Sequence, residues 1–267
     1  MAPLMQVENL SKCYDARSSS RAKVVALDSV SFSLEAGMTL SILGASGSGK
    51  STLAKCLTCL EKPTSGRIVF EGQDLTALRA SELRSVRTKI QLVFQDPALS
   101  LNPRFTSFDA ISEPWQVEQK VPQSEWSDRA AQLMKVTGLS TDFLQRKPMQ
   151  LSGGQRQRLA IARALAAEPK VLILDEALSS LDLPVQAQIA NLLMGLKESR
   201  SLTMIFITHD PAMAGHLADK IAVMSGGRIV EEGSAREIVC GPQTSAAKAL
   251  LSAVVGLEPG TQGQVGR

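Results

Sequence analysis

The sequence predicts an α/β fold with a largely parallel central sheet. Apolar strand-like segments alternate with helical segments along most of the chain, which is the pattern of such sheets. Residues 171–174 form a short, wholly apolar run, as expected for a strand that is buried on both faces. A glycine-rich loop at residues 44–51 lies between a predicted strand and a predicted helix. Together these features predict a nucleotide-binding α/β domain.

The composition is that of a globular protein with a substantial core. The chain has 267 residues, of which 44% are hydrophobic, and it carries a net charge of +3 from 29 basic and 26 acidic residues. Its length predicts either one large domain or a domain with a sizeable insertion. The balanced charge and the 4% aromatic content argue against a nucleic-acid partner, which would need a basic surface and stacking platforms.

No segment has the roughly 18 consecutive apolar residues that a membrane-spanning helix needs. The apolar stretch at residues 249–257 is too short, and the N-terminus has no basic region followed by an apolar run. We therefore expect a cytoplasmic protein that reaches a membrane only through a partner.

The N-terminal third is predicted to be rich in strands. They are expected at residues 5–10, 30–34, 38–43, 67–70 and 90–94. A polar loop is expected at 15–23, a turn at Ala36-Gly37, a helix at 49–60 and a turn at Ser65-Gly66.

Between residues 96 and 150 the pattern changes, because prolines recur at positions 97, 103, 114, 122 and 148. Helical stretches are predicted at 107–111 and 126–137, and they indicate a separate helical lobe. A strong helix is then predicted at 154–167, ended by Pro169.

The C-terminal third continues the alternation of helices and strands. The sequence predicts a helix at 185–198, a strand at 203–207 and a hairpin of strands 221–224 and 228–230 around Gly226-Gly227. From Pro259 onward the chain is rich in Gly and Gln, which predicts a loose tail.

The glycine-rich loop matches the Walker A pattern G-x-x-x-x-G-K-S. Its residues are Gly44, Ala45, Ser46, Gly47, Ser48, Gly49, Lys50 and Ser51, and Thr52 follows in the predicted helix. The glycines let backbone N–H groups surround phosphates, Lys50 can reach the β- and γ-phosphates, and the Ser51 hydroxyl can bind Mg²⁺. The pattern therefore predicts binding of ATP with Mg²⁺.

The buried strand at residues 171–174 is followed by Asp175 and Glu176. Such a pair beside a phosphate loop matches the Walker B arrangement. Asp175 is then expected to hold Mg²⁺, and Glu176 to activate the attacking water as general base.

The segment Leu151-Ser152-Gly153-Gly154-Gln155 stands immediately before a predicted helix. With a Walker A motif upstream and a Walker B motif downstream, the chain resembles the ATP-binding cassette (ABC) family, in which this pentapeptide is the signature. The resemblance covers roughly residues 5–235. It implies a P-loop NTPase core with a mostly parallel sheet, an antiparallel β region at the N-terminus and an inserted helical subdomain at approximately 96–168. It places the whole ATPase domain at 1–258 and a flexible tail at 259–267.

The resemblance also assigns roles to residues outside these motifs. Gln95 matches the Q-loop, which senses the metal and γ-phosphate; Ser179-Ser180-Leu181-Asp182 matches the D-loop of the dimer interface. His209 matches the switch histidine that contacts the γ-phosphate, whereas His216 is expected at the surface. Tyr14, the one tyrosine of the chain, matches the aromatic residue that stacks on adenine.

In this family the signature acts on ATP held by another subunit. The resemblance therefore implies a head-to-tail dimer in which one subunit contributes Lys50, Ser51, Gln95, Asp175, Glu176 and His209, and the other contributes Ser152 and Gly154. It further implies integral membrane permease subunits and, indirectly, an extracytoplasmic solute-binding protein as partners. The subunit would lie at the cytoplasmic face of the cell membrane. The second ATPase subunit could be a copy of this chain or a sister chain, and the resemblance favours a sister.

Within the family, the segments around Phe94-Gln95-Asp96-Pro97 and Leu101-Asn102-Pro103-Arg104 resemble importers of dipeptides, oligopeptides and nickel. This chain has Gly241-Pro242-Gln243-Thr244 where many of those relatives have His-Pro-Tyr-Thr. The alternative is a soluble ABC ATPase that is not coupled to transport. Such proteins usually have two cassettes in one chain or long coiled-coil insertions, and this chain has neither.

Four cysteines, Cys13, Cys56, Cys59 and Cys240, are scattered along the chain. The Cys56-x-x-Cys59 spacing could form half of a metal site or a redox pair. No second Cys or His pair lies nearby in sequence to complete a set of four ligands, so we interpret these cysteines as small apolar residues one turn apart on the helix after the phosphate loop. Some relatives carry a C-terminal iron–sulfur cluster. With Cys240 alone in that region, we expect none here.

Overall fold

A computed structural model describes residues 3–15 and 23–252. The predicted loop at 15–23 lies almost entirely outside the described residues. The predicted tail at 259–267 and the end of the apolar stretch 249–257 also fall outside them.

Four strands near the N-terminus form an antiparallel sheet in the order β2-β1-β4-β5. They are β1 (Met5–Asp15), β2 (Lys23–Leu34), β4 (Ser65–Phe70) and β5 (Gln73–Asp74). β1 and β2 are longer than predicted. Ser65-Gly66, predicted as a turn, already belongs to β4. Gly66 has a φ of +82°, and a Cβ there would lie 2.3 Å from the Asn9 carbonyl oxygen, so this position requires glycine.

Six strands form the central sheet, in the order β10-β9-β3-β8-β7-β6. They are β3 (Thr39–Gly44), β6 (Ile90–Val93), β7 (Val171–Asp175), β8 (Thr203–Thr208), β9 (Lys220–Ser225) and β10 (Arg228–Ser234). All neighbours are parallel except β9 and β10, which form the predicted hairpin. The mostly parallel sheet and the N-terminal antiparallel region are confirmed.

The apolar character of β7 follows from its position between two hydrophobic cores. Leu172 and Leu174 pack into the core formed with the helical lobe, whereas Val171 and Ile173 pack into the core beneath the antiparallel sheet. Successive side chains point to opposite faces of a strand, so a strand covered on both faces needs apolar residues at every position.

Nine helices are present among the described residues. They are α1 (Lys50–Leu57), α2 (Ala80–Lys89), α3 (Ser107–Glu118), α4 (Trp126–Val136), α5 (Gly153–Ala166), α6 (Leu183–Arg200), α7 (Pro211–Leu217), α8 (Ala235–Cys240) and α9 (Ser245–Ser252). None of them is long and apolar enough to cross a membrane.

The ends of α1 and α3 differ most from the prediction, and α2 was not predicted. α1 ends at Leu57 rather than at residue 60, because the Thr58 hydroxyl donates to the Ala54 carbonyl and Cys59 adopts a left-handed conformation. α3 continues through Pro114 to Glu118. α2 was missed because its sequence is mostly polar and buries one side chain, Val86.

Helices α3, α4 and α5 form the inserted helical lobe. The Trp115 and Trp126 rings lie 6.2 Å apart within it, and the Trp115 indole N–H donates to the Ala166 carbonyl at 2.8 Å. This bond closes the lobe onto the end of α5, whose other end carries the signature. The division of the chain into a domain at 1–258 and a tail stays a prediction.

Helices α7, α8 and α9 pack against strands β3 and β9 of the central sheet. Ala214, Ile238 and Leu251 pack there against Leu43 and Val223. The segment leading to α9 is held by Glu231 of β10, whose carboxylate accepts hydrogen bonds from the Gln243 and Thr244 amides, each at 2.8 Å.

Candidate ATP-binding and hydrolysis site

The phosphate loop connects β3 to α1, as predicted. Gly47 and Gly49 have φ angles of +78° and +105°, which favour glycine. A Cβ on Gly44 would lie 2.5 Å from the Met224 carbonyl oxygen, and one on Gly49 would lie 2.3 Å from that of Ala26. The loop therefore requires glycine both for its backbone conformation and for its contact with β9 and β2.

The Lys50 ammonium group lies over this loop. Its Nζ donates to the Gly44 and Ala45 carbonyl oxygens at 2.9 Å each and lies 3.4 Å from Glu176 Oε1. The residue is 4% exposed. Ala45 and Ser46 are exposed at the loop tip, so a phosphate can approach the loop from that side.

Ser51 and Asp175 meet at the start of α1 and the end of β7. The Ser51 hydroxyl donates to Asp175 Oδ1 at 3.2 Å, and burial raises the pKa of the Asp175 carboxyl above its ordinary value. The two groups present hydroxyl and carboxylate oxygens, the ligand type that Mg²⁺ prefers. A buried carboxylate is also stabilised by a cation, so these residues fit a magnesium site. Thr52 follows in the first turn of α1 and is half-buried.

Glu176 lies immediately beyond β7, in a left-handed conformation with φ of +47°. Its backbone N–H donates to the Ile207 carbonyl at 2.9 Å. One carboxylate oxygen faces Lys50 and the other lies 3.4 Å from Nδ1 of His209. The side chain therefore stands between a cation and an imidazole.

His209 follows β8, which pairs with β7 in the sheet. Its side chain is 53% exposed, and it lines an open pocket together with Glu176, Ser179, Gln186 and Met213. The structure thus brings together the predicted Glu176 and His209. The other histidine, His216, is exposed on α7, as expected.

Gln95 follows β6 and is exposed. Its side-chain amide donates to the Ser179 hydroxyl at 3.2 Å. The hydrogen bonds of the described residues do not join Gln95 to Ser51 or Asp175, so its role as a metal ligand stays a prediction.

The signature begins α5. The Ser152 hydroxyl accepts from the Gln155 amide at 3.3 Å, and the Gln155 side chain accepts from the Ser152 amide at 2.9 Å, which forms a capping box. A Cβ on Gly154 would lie 2.6 Å from Val185 Cγ1 of α6, whereas one on Gly153 would meet Leu181 at an ordinary 3.7 Å. Asp182 caps α6 by accepting from the Val185 amide at 3.0 Å.

No hydrogen bond or ion pair in the described part of the chain joins residues 152–155 to the phosphate loop. The local packing explains why Gly154 is glycine, but it does not explain Gly153, which is exposed.

Tyr14 lies near the end of β1, opposite Val24 of β2, and is half-buried. Its hydroxyl hydrogen-bonds to the Glu61 carboxylate, and Lys12 Nζ lies 5.0 Å from the ring centroid. Burial, together with the Glu61 contact, raises the pKa of the Tyr14 hydroxyl. Its stacking on adenine stays a prediction.

Two sets of contacts at this site were not found from the sequence. The Ser179 hydroxyl was matched to the D-loop only as part of a motif. The turn of the β9–β10 hairpin contacts the phosphate loop, because the Gly227 amide donates to the Ser48 carbonyl at 3.0 Å. Arg228 and Asp28, 200 positions apart, form an ion pair beside that turn. The partners in these contacts lie too far apart in the chain for a local sequence pattern to predict them.

Among the described residues, no hydrogen bond or ion pair joins a cysteine side chain to Lys50, Asp175 or Glu176. Burial raises the pKa of the Cys56 thiol to about 11, which disfavours the thiolate that metal binding or redox exchange requires. Cys59 lies beyond the end of α1 rather than on it, so the expectation of two cysteines one turn apart on that helix was wrong. The described residues contain no group of three or more His, Cys, Asp or Glu side chains that could hold a metal by themselves.

Comparison with known proteins agrees with this geometry. A model of the ABC transporter family matches residues 27–179. The chain is 44% identical to the probable peptide ABC transporter ATP-binding protein y4tS of Sinorhizobium fredii, over 94% of this chain and 72% of that protein. It is 42% identical to the dipeptide transport ATP-binding protein DppF of Escherichia coli, over 96% of this chain and 78% of that protein.

Two solved structures resemble the fold. One is a dimeric, post-hydrolysis state of the ATP-binding cassette MJ0796 bound to ADP and Pi, with a TM-score of 0.79, 33% identity and coverage of 87% of this chain and 99% of that one. The other is cbiO1 from Clostridium perfringens, with a TM-score of 0.79, 30% identity and coverage of 96% and 95%. With its phosphate loop, acidic pair and signature arranged in this fold, the chain belongs to the ABC transporter family and is an ATP-binding, ATP-hydrolysing protein.

Proposed function

We propose that this chain is the ATPase subunit of a peptide importer, in which ATP-driven closure of two ATPase subunits is coupled to uptake. The observation that carries the ATPase role is the position of the Glu176 carboxylate, 3.4 Å from both Lys50 Nζ and His209 Nδ1. It stands next to Asp175, which is hydrogen-bonded to Ser51.

Phosphate binding falls to the loop and to Lys50. The backbone amides of residues 44–49 surround the β- and γ-phosphates, and the Lys50 ammonium neutralises charge on them. Ser51 and Asp175 would hold Mg²⁺, with Gln95 as a further ligand. When bound, Mg²⁺ would offset the negative charge that develops on the phosphate groups.

Hydrolysis requires a base for the attacking water. We assign this role to Glu176. Its carboxylate accepts a water proton as the water oxygen attacks the γ-phosphorus and the bond from phosphorus to the β–γ bridging oxygen breaks, which releases ADP and phosphate. His209, beside Oε2 of Glu176, contacts the γ-phosphate and holds the carboxylate in place. Tyr14 supplies a stacking surface for adenine.

The signature would act on ATP held by a second subunit. Residues 152–155 begin α5, and a helix N-terminus attracts an anion through its backbone amides. The side chains of Ser152 and Gln155 cap the helix, and the exposed Gly153 leaves room for a close approach. Asp182 would lie at the same interface, and the related cassette MJ0796 is dimeric.

The membrane partners would be permease subunits, contacted by the helical lobe at 96–168. Gln95 precedes this lobe in the chain, so a shift of the lobe changes the hydrolysis site. The subunit would lie at the cytoplasmic face of the membrane, and a solute-binding protein on the other side would deliver the cargo. We propose a sister ATPase subunit as the dimer partner.

The relatives at 44% and 42% identity are named for peptide and dipeptide transport. We therefore propose di- or oligopeptides as the cargo ahead of nickel or a metal chelate, which the sequence resemblance also allowed.

Replacing Glu176 by glutamine tests the base assignment. Glu176→Gln keeps the size of the side chain but cannot accept the proton, so hydrolysis should fall by at least about 100-fold, the lower end of the contribution of a general base. ATP binding, measured by calorimetry, should persist. With the sister subunit present, size-exclusion chromatography with light scattering should show an ATP-dependent dimer. Turnover at the wild-type rate would remove Glu176 from this role.

A further inference from the structure

Ser179 stands at a junction between two residues of the proposed hydrolysis site. Its backbone N–H donates to the Glu176 carbonyl at 3.1 Å, and its hydroxyl donates to the same carbonyl at 2.9 Å. One residue therefore supplies two hydrogen bonds to the backbone of Glu176.

These bonds matter because Glu176 has an uncommon backbone conformation. Its φ of +47° lies in the left-handed region, which residues with a Cβ adopt at a free-energy cost. Such a conformation persists when surrounding contacts hold it. For Glu176, these contacts are the hydrogen bond that its N–H donates to the Ile207 carbonyl and the two hydrogen bonds that its C=O accepts from Ser179.

The same hydroxyl accepts a hydrogen bond from the Gln95 side chain at 3.2 Å. Gln95 is 84 positions earlier in the chain and precedes the helical lobe. Ser179 thus joins the segment that enters the lobe to the backbone of Glu176 through one oxygen atom.

The loop that carries Ser179 is itself fixed to α6. The Gln186 side chain donates to the Leu178 and Leu181 carbonyl oxygens, each at 3.0 Å. With both sides of the loop held, a displacement of Gln95 acts on the Ser179 hydroxyl rather than being absorbed by movement of the loop.

We propose that Ser179 is a positioning residue that links Gln95 to Glu176. It holds the backbone of the general base in its left-handed conformation and makes the orientation of the carboxylate depend on the position of Gln95. The inference rests on the proposed roles of Glu176 and Gln95, and it adds a residue to them that acts through Glu176 rather than on ATP.

Steady-state ATPase kinetics of the full-length chain test the proposal. Ser179→Ala removes the hydroxyl bonds to both Glu176 and Gln95. It should lower kcat about three- to tenfold, the range expected when the hydrogen bond that holds Glu176 is lost, and leave KM for ATP within about twofold of wild type. Ser179→Thr retains the hydroxyl on an exposed residue and should restore most of kcat.

Ser85→Ala is the matched control. The Ser85 hydroxyl also donates to a carbonyl three residues earlier, that of Glu82, at 2.9 Å, but it lies on α2 outside the site. This variant should keep the wild-type kcat.

A double-mutant cycle adds a readout that a merely structural role would not move. If Gln95 acts through Ser179, then Gln95→Ala should reduce kcat less in the Ser179→Ala background than in the wild type. Additive effects, a wild-type kcat in Ser179→Ala, or failure of threonine to restore activity would overturn the inference. If Glu176→Gln is inactive while the Ser179 variants match wild type, the inference about Ser179 fails and the proposed function stands. Full turnover in Glu176→Gln would instead refute the assignment of Glu176 as the general base.

Discussion

Glu231 shows how one carboxylate can hold a C-terminal segment in place. It accepts hydrogen bonds from the Thr244 hydroxyl at 2.6 Å and from the Gln243 and Thr244 amides at 2.8 Å, and Lys248 adds a positive charge nearby. These contacts, the Thr244 hydroxyl first, hold the pKa of Glu231 below its ordinary value. They depend on the ionised form.

This residue makes the stability of the fold depend on pH. Because the pKa of Glu231 is lower in the folded state, its contribution is present above the unfolded-state pKa of about 4.3 and is lost as the pH falls through the folded-state value. Glu231→Gln should therefore lower the free energy of unfolding at pH 7, and its difference from wild type should shrink in acid. Urea unfolding at both pH values measures this. The exposed neighbour Glu232→Gln should cause little change at either pH; a deficit in Glu231→Gln that is independent of pH would contradict the assignment.

At the scale of elements, the close packing of α5 against α6 explains one of the two signature glycines. A methyl group on Gly154 would come within 2.6 Å of Val185, a β-branched side chain with few rotamers. Gly154→Ala should therefore destabilise the fold by about 1–3 kcal/mol, the usual cost of overpacking. Adding Val185→Ala should recover part of the loss, as thermal unfolding can measure.

Gly153→Ala gives the matched comparison, because its added methyl group meets Leu181 at 3.7 Å and fits. This variant should keep the stability of wild type. Under the proposed function it should still lower the ATPase rate, since a methyl group on the exposed Gly153 would obstruct the approach of ATP held by the second subunit. Equal destabilisation by both alanine variants would show that the packing difference is unimportant.

The helical elements also show where sequence patterns are informative. The strongly helix-forming run that is ended by Pro169 made α5 predictable to within one residue at each end. α2 was missed because a mostly polar helix with one buried residue has no apolar periodicity. α3 was predicted too short, since the length of a helix that contains proline depends on what packs around it.

At the scale of the whole molecule, ATP should stabilise the fold through the phosphate loop, which contacts β2, β7 and the β9–β10 hairpin. At a concentration 100 times Kd, ATP should raise the free energy of unfolding of wild type by about 2.7 kcal/mol. Lys50→Ala should lose most of this increase, because it removes the ammonium group to which the proposed function assigns phosphate binding. Thermal unfolding with and without ATP measures the difference.

Lys135→Ala, on the exposed face of α4, is the control for this experiment and should retain the full effect of ATP. A Lys50→Ala protein that ATP stabilises as much as wild type would contradict the assignment of the loop.

The sequence by itself determined the fold class, the phosphate loop, the acidic pair and the signature. Each of these depends on neighbouring residues: a glycine loop between strand and helix, a strand that is apolar on both faces, a Ser-Gly-Gly segment before a helix. Short-range rules of backbone conformation and burial are enough to recognise them.

Only the tertiary structure decided how the separate motifs meet. It placed Gln95 on the Ser179 hydroxyl, Val185 against Gly154, and Gly227 on the phosphate loop. It also fixed the left-handed backbone conformation of Glu176, whereas the sequence predicted only that this residue follows a buried strand and acts as general base. These contacts join residues far apart in the chain, and their geometry follows from how the sheet, the lobe and the hairpin pack together, which no local pattern of residues encodes.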